Sequence, residues 1–540
     1  MLLLPVLAII LPLVGAGGTL GLSLVPRARP YARYIALMAA GLTTILVVRL
    51  MWMEPVTVIP SLWQPSLLFG DAPTLRTEVM MQPLALALAL VTCSAMLVEL
   101  SRTGESPPQF VAVSLALLSA GLVALWAANL LTMIIGWAIY DLLQAAGHIA
   151  AGGSARTAVR SLIFGGLATL LLWGGVLLPS GGVGGKSWAS MTFSSTQMTL
   201  WAVAGILRLC VYPFHLSTPD DLDTSPSLVT PLLLGPVVGW GLWLRLTQAN
   251  GGSVFGNTWV PVIAGVTLAL GGFLAWSCDS TRRMLPWIGM EVTGAVLLAV
   301  GLAGESATAV VAAGSVAWAL GIAVLFLGGG LQREAPWWSI PALIGALALL
   351  GMPLTLGFVA ETTLIEGLTK EGHLGWGGAL FFGNLFLVPS LVRWLLSPFS
   401  SPLNNQRWLL VARGVGLGLL ALLLIVAGLH PPLLIHSAMA PSLGALFTMP
   451  GVAGWLLWAI SLAGGGVLAW QEGNLRPKIE PLLSAAHDLL RLEWLYDVVV
   501  RAIDRGLNAL RAADEIIGGA GALLWSWLLF LLILLVWGGL

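Results

Sequence analysis

Asp141, His148, Arg208, Glu291 and Glu361 are ionisable residues set well inside long apolar stretches. A charged group at the centre of a bilayer is costly, so each is a candidate functional residue. Asp141 and His148 stand seven residues apart, which is two turns along one helix face. A set of this kind can serve a proton path, a metal site or plain ion pairing. Metal binding is disfavoured, because two or three hard ligands on distant helices make no closed set at a recognisable spacing. Glu291, within "WIGMEVTGAV", reads equally well as a structural hydrogen-bonding group. His148 reads as lying near a membrane interface. Arg245 and Arg393 stand nearer helix ends, where a long side chain can snorkel to the headgroups.

Two irregular stretches accompany these residues. Gly351-Met352-Pro353 precedes Glu361 and would interrupt any helix passing through it. The second, "YPFHLSTPDDLDTSP", runs from Tyr212 to Pro226, contains His215 and is bounded by Pro213 and Pro226. Broken elements at comparable places in two halves of a membrane chain suggest an internal repeat around an ion path. A simple kink and an ordinary loop are the plain alternatives. A break inside the membrane is tolerated where freed backbone groups face a hydrated interior, and Glu361 is placed to share that interior.

The elements that must position these residues follow from composition. The 540 residues are 58% hydrophobic and 9% charged, against roughly a quarter charged in soluble proteins. Sixteen apolar stretches can each cross a bilayer: about 2–25, 33–53, 79–100, 109–128, 129–151, 157–178, 198–213, 226–247, 258–278, 283–303, 307–330, 337–368, 374–396, 408–429, 451–471 and 521–539. The fold class is therefore an all-α polytopic membrane protein. The first stretch lacks a basic leader and reads as a membrane helix, not a cleaved signal. Loops after odd-numbered spans carry Arg27, Arg29, Arg33, Arg102, Arg156, Arg282, Arg283, Arg333 and Arg407, whereas the others carry only Arg76, Lys186 and Lys370. By the positive-inside rule the odd loops are cytoplasmic, and both termini lie on the far side.

Net charge is zero, so nothing points to nucleic acid. Cys93, Cys210 and Cys278 all fall in apolar stretches without metal-ligand spacing. No phosphate-binding loop, dinucleotide fingerprint or nucleophile triad is present, so no cofactor is expected and any redox chemistry is done elsewhere. The segment Leu475 to Gly521 differs from the rest. Leu489, Leu490, Leu492, Leu495, Val498, Val499 and Ile503 form a stripe interleaved with Asp488, Arg491, Asp497, Arg501 and Arg505. That pattern describes a helix lying along a membrane surface or along other helices.

Five motifs, in order, resemble the antiporter-like membrane subunits of respiratory complex I and of Mrp-type cation/proton antiporters. They are "NLLTMIIGWAIYDLL" (Asn129 to Leu143), "RLCVYPFHLSTPDD" (Arg208 to Asp221), "DSTRRMLPWIGMEVTG" (Asp279 to Gly294), "GMPLTLGFVAETTLI" (Gly351 to Ile365) and "LEWLYDVVVRAIDRG" (Leu492 to Gly506). The last resembles the opening of the lateral helix of the largest, distal subunit. The resemblance implies N-terminal helices over 1–108, an antiporter-like core over 109–396 and further membrane helices over 397–474. The core would hold two inverted repeats, about 109–247 and 258–396. An amphipathic lateral helix over 475–520 and a final anchor over 521–540 would follow. It also implies a multi-pass place in the cell inner membrane, beside the other membrane subunits of a large complex.

In that family, protons are thought to pass along a buried row of glutamate, lysine or histidine, and a terminal lysine or glutamate. Here the first glutamate falls on Ala138, with Asp141 one turn on, and its partner lysine falls on Arg208. The stretches Ser225 to Leu244 and Ala307 to Gly330, where central lysines or histidines are expected, hold no ionisable residue. Glu361 keeps the terminal position. Arginine does not release its proton, so Arg208 reads as a fixed charge holding Asp141 ionised. Three functions stay open. They are a proton-translocating subunit of a complex I-like quinone oxidoreductase using Asp141, Arg208, His215, Glu291, Glu361 and His148, a non-conducting scaffold, and an Mrp-like antiporter or ion-driven uptake subunit.

Overall fold

The computed structural model describes residues 3–60, 72–102, 107–178, 188, 193–209, 211–217, 231–250, 259–329, 336–397, 406–435, 448–518 and 526–533. Pro226, Cys210, Lys186, Arg333 and both ends of the last expected span lie outside the described residues, as does the side chain of Arg282. The helices in chain order are α1 Leu4–Ser23, α2 Ala32–Met51, α3 Gln82–Leu100, α4 Pro108–Leu125, α5 Leu130–Ala150, α6 Ala155–Leu177, α7 Ser195–Arg208, α8 Gly235–Ala249 and α9 Trp259–Ser277. They continue as α10 Leu285–Leu302, α11 Ala307–Gly328, α12 Ile340–Leu349, α13 Leu356–Lys370, α14 Gly377–Leu396, α15 Arg407–Leu429, α16 Met449–Leu490 and α17 Glu493–Gly518.

Among the described residues, twelve helices are long and apolar enough to cross a membrane. Three more expected spans are the ones cut short at the breaks: α7, α8 and the α12–α13 pair. Residues 526–533 are helical and fall in the sixteenth. The chain is thus the all-α, polytopic membrane protein that its composition implies.

Apolar helices differ in what they face. Of the most apolar stretch of α11, 94% is buried in protein, against 33% for α1 and α6, so α11 is a core helix and α1 and α6 present apolar side chains on the outside of the chain. Around α11 pack α3, α8, α10, α12, α13 and α15. Small residues set the spacing. At Gly314 and Gly321 an added Cβ would run into Val296 and Leu349, so these glycines let α10 and α12 approach closely.

The first break begins where α7 ends at Arg208. Leu209 is extended, the Tyr212–Pro213 bond is cis, and Phe214–Ser217 forms a single 3-10 turn. The chain re-enters a helical turn at 231–233 before α8. The second break joins α12 to α13. Gly351 (φ 63°) and Leu354 (φ 72°) are both left-handed, a conformation that costs a non-glycine residue about 1–2 kcal/mol. Part of the freed backbone is recaptured, as the Met352 N–H donates to Leu347 O at 2.8 Å and the Thr355 hydroxyl to Met352 O at 2.6 Å.

Contacts divide the chain into two units, Met1–Lys478 and Ile479–Leu540. The expected junction between membrane helix and lateral segment at 475 is not where the helix ends. α16 continues through Gly473 and Pro477 to Leu490, and the turn falls at Leu492, whose φ is 60°. Glu472 and Arg476, one turn apart and 3.0 Å from each other, pair on the turn just before the proline. α17 carries the amphipathic pattern, with Leu495, Val498, Leu507 and Leu510 exposed.

Candidate functional site

Asp141 reaches the interior because α5 is firmly started. Asn129 caps it, accepting from the Thr132 N–H at 3.0 Å, and its own amide donates to Ala72 O at 2.9 Å. α7 is started by a capping box between Ser194 and Gln197, and the Gln197 amide donates to Gly175 O of α6 at 2.9 Å. These ties bring α5, α6 and α7 side by side. Arg208 Nη2 then donates to Asp141 Oδ2 at 2.6 Å, with the two side chains 4% and 5% exposed. Thr169 of α6 donates to the same Oδ2 at 3.4 Å. The guanidinium lies over the Trp137 ring at 3.9 Å, a cation–π contact in a desolvated setting. Gly165 abuts the Asp141 carboxylate so closely that a Cβ would overlap it. Behind the pair is a cavity of about 30 Å³ lined also by Gln144, Ser161 and Leu232.

Glu361 belongs to a second site. It projects from α13, one helical turn and a half past the break, with Oε2 lying against Gly351 where any side chain would collide with it. Glu291 of α10 and Asn384 of α14 line the same cavity, of about 50 Å³. Glu291 is 2% exposed and Asn384 6% exposed. Among the described residues no basic side chain lines this cavity, and Glu361 Oε1 has no hydrogen-bond partner.

The structure therefore sorts the six ionisable residues singled out in the sequence. Asp141 and Arg208 are joined, and Glu291 and Glu361 share a cavity. His215 is buried elsewhere, its ring stacked on Tyr212 at 5.4 Å and tilted against Trp287 at 4.8 Å. His148 is buried in the last turn of α5 and does not line the cavity beside Asp141. Of the break residues, Gly351 supports Glu361, Pro353 lies in the turn, and Pro213 follows Tyr212 in the first break.

Arg245 departs from the snorkelling expectation. It is 2% exposed and donates to Leu125 O at 2.6 Å and Ala127 O at 2.9 Å, so it ties α8 to the end of α4. Arg393 also turns inward, to Glu472 at 3.1 Å and to the carbonyls of Ala275 and Trp276 at the end of α9. Thr169, Gln144 and Asn384 were not singled out in the sequence. Neutral polar residues are common in membrane helices, and only the convergence of helices distinguishes these three.

Between the two sites lie α8 and α11. Trp240, Trp243 and Leu244 are fully buried on α8, and Ser315 is the buried polar side chain at the middle of α11, its hydroxyl turned back onto Val311 O.

No family model matches the chain. It is 25% identical over 354 residues to the NADH-quinone oxidoreductase subunit N of Mycobacterium sp. (strain JLS), a match covering 59% of this chain and 75% of that protein. Its fold matches a chain of the Mrp complex from Dietzia sp. DQ12-45-1b with a TM-score of 0.79 at 17% identity, covering 99% of this chain and 62% of the other. It also matches a chain of the membrane-bound sulfane sulfur reductase, an archaeal respiratory membrane complex, with a TM-score of 0.75 at 17% identity, covering 98% and 99%. The chain is accordingly a multi-pass protein of antiporter-like fold, a relative of the antiporter-like subunit N of bacterial NADH-quinone oxidoreductases.

Proposed function

We propose that this chain is a membrane subunit of a complex I-like or Mrp-type assembly in the cell inner membrane, and that it takes up and releases protons at Glu361. The observation that carries this reading is the placement of Glu291 and Glu361 on one buried cavity with no basic partner among the described residues. Carboxyl groups so placed are neutral when protonated and costly when ionised, which suits a site whose occupancy changes during turnover. The Asp141–Arg208 pair acts differently. An arginine is a poor proton relay, so the pair reads as a fixed dipole that orders the first broken helix. Two inverted repeats, about 109–247 and 258–396, would put these sites at equivalent breaks. The loop-charge bias fits termini on the non-cytoplasmic side, and the amphipathic α17 fits a helix lying along neighbouring subunits and the bilayer surface.

A second reading, a scaffold that conducts nothing, is favoured by α8 and α11. Arg245 is occupied with backbone carbonyls, and α11 offers no titratable residue. One experiment separates the two readings. The assembly carrying this chain is purified from its own membranes and reconstituted in liposomes with an internal pH dye. Proton uptake is then driven by an imposed potential. Glu361→Gln should cut uptake at least tenfold while the assembly stays intact. Uptake equal to wild type would leave the scaffold reading.

A further inference from the structure

We propose that Glu291, with Asn384, is the immediate proton partner of Glu361, so that the route through the second half turns sideways from α13 to α10 and α14 and does not run along α11. This inference rests on the proton-handling reading above and adds its path.

The argument starts from what buried polar groups require. A buried carboxyl or amide left without a partner is expensive, and native structures satisfy such groups with protein or with ordered water. Glu291, Glu361 and Asn384 come from three helices and line one cavity. No hydrogen bond joins any of them to another described side chain, and Glu361 Oε1 is itself buried and unpartnered. A cavity of about 50 Å³ has room for on the order of four waters at about 10–15 Å³ of probe-occupied volume each. A few waters among two carboxyls and an amide satisfy all three and give a continuous donor–acceptor chain. In one transfer step, the protonated carboxyl of Glu361 gives its proton to a bridging water. That water passes a proton to the Glu291 carboxylate, so the proton moves from α13 to α10, the negative charge moves from Glu291 to Glu361, and the water is regenerated.

The alternative direction is closed. α11 passes the same cavity with Val310, Gly314 and Ala317, none of which can carry a proton. On α14, by contrast, polar groups continue past Asn384. Pro389 cannot donate to the carbonyl of Leu385, one residue beyond Asn384. Ser390 follows, and then Arg393, which contacts Glu472 of α16. The α10–α14 seam is also built for close approach. A Cβ on Gly383 would lie 2.8 Å from Glu291 Oε1, so the glycine makes space on α14 for the Glu291 carboxyl.

The test is infrared spectroscopy of the intact assembly, following deuterium exchange into the protonated-carboxyl band of Glu361. That band is assigned by its loss in E361Q and brought up by lowering the pH until it appears. E291L and N384L should each slow this exchange at least tenfold, E291D should retain most of the wild-type rate, and S315A, on α11 and outside the cavity lining, should not change it. Exchange at the wild-type rate in E291L would overturn the inference. So would a slowed rate in E291D equal to that of E291L, since that would mean repacking and not loss of a carboxyl. Failure of the proton-handling reading shows elsewhere, as wild-type liposome uptake in E361Q, so the two failures are distinguishable.

Discussion

Replacing Arg208 by leucine tests whether the first site is a closed ion pair. The charges lie in contact at 2.6 Å with both side chains about 5% exposed or less. Two unit charges about 4 Å apart attract by about 4 kcal/mol at an effective dielectric of about 20. Removing one partner strands the other, and a stranded buried charge costs about 3–5 kcal/mol. Loss of the Trp137 contact adds to the arginine side of that figure, by about 2 kcal/mol or less. Asp141→Leu should cost a similar amount. The double variant should cost about 1 kcal/mol or less, since neither charge then remains and apolar pairs of like volume replace buried ion pairs at little cost. The assay is unfolding in graded detergent denaturant, read by tryptophan fluorescence as a double-mutant cycle. The expected coupling is the two single costs less the cost of the double variant, about 5–9 kcal/mol. Single variants that each cost under about 0.5 kcal/mol, with additive effects, would mean that the pair is solvated and screened, and the fixed-dipole role would fall with it.

Three further substitutions probe the same architecture. Gly165→Ala places a Cβ onto the Asp141 carboxylate and should cost about 1–3 kcal/mol by overpacking in the same unfolding assay. Gly351→Ala forces alanine to φ 63° and into Glu361 Oε2. It should cost about 1–2 kcal/mol for the backbone alone and displace Glu361, seen as a shifted or broadened Glu361 carboxyl band. Glu472→Gln removes the carboxylate that Arg393 and Arg476 share at 3.1 and 3.0 Å. Because these side chains are 15–20% exposed, the loss should be about 1 kcal/mol, read as several-fold faster tryptic cleavage after Lys478.

Much of this was legible in the sequence for simple reasons. A membrane span announces itself by length and apolarity, so fifteen of sixteen expected spans coincide with described helices or with pairs of helices flanking a break. The breaks announce themselves by Gly, Pro and polar runs. What sequence could not supply is which side chains meet. Asp141 and Arg208 are 67 residues apart along the chain, and nothing local pairs them; the capped starts of α5 and α7 do. The helix that crosses the expected boundary at 475 runs on through Pro477 to Leu490, and no residue type at 475 marks that continuation.

The same pairing logic decides where protons can go. A buried relay needs neighbours that both take and release a proton, and the first site fails that condition because its cation is arginine. The stretch between the sites fails it as well, since Trp240, Trp243 and Leu244 fill α8 and the one buried hydroxyl of α11 is turned onto its own backbone. The second site meets it without needing α11, because its two carboxyls stand on α10 and α13 around one cavity. On the proposed reading, a chain with no ionisable residue on α11 keeps one half that can exchange protons. Arg208 would hold the other half in shape, and Glu361 would exchange protons through a side route of its own.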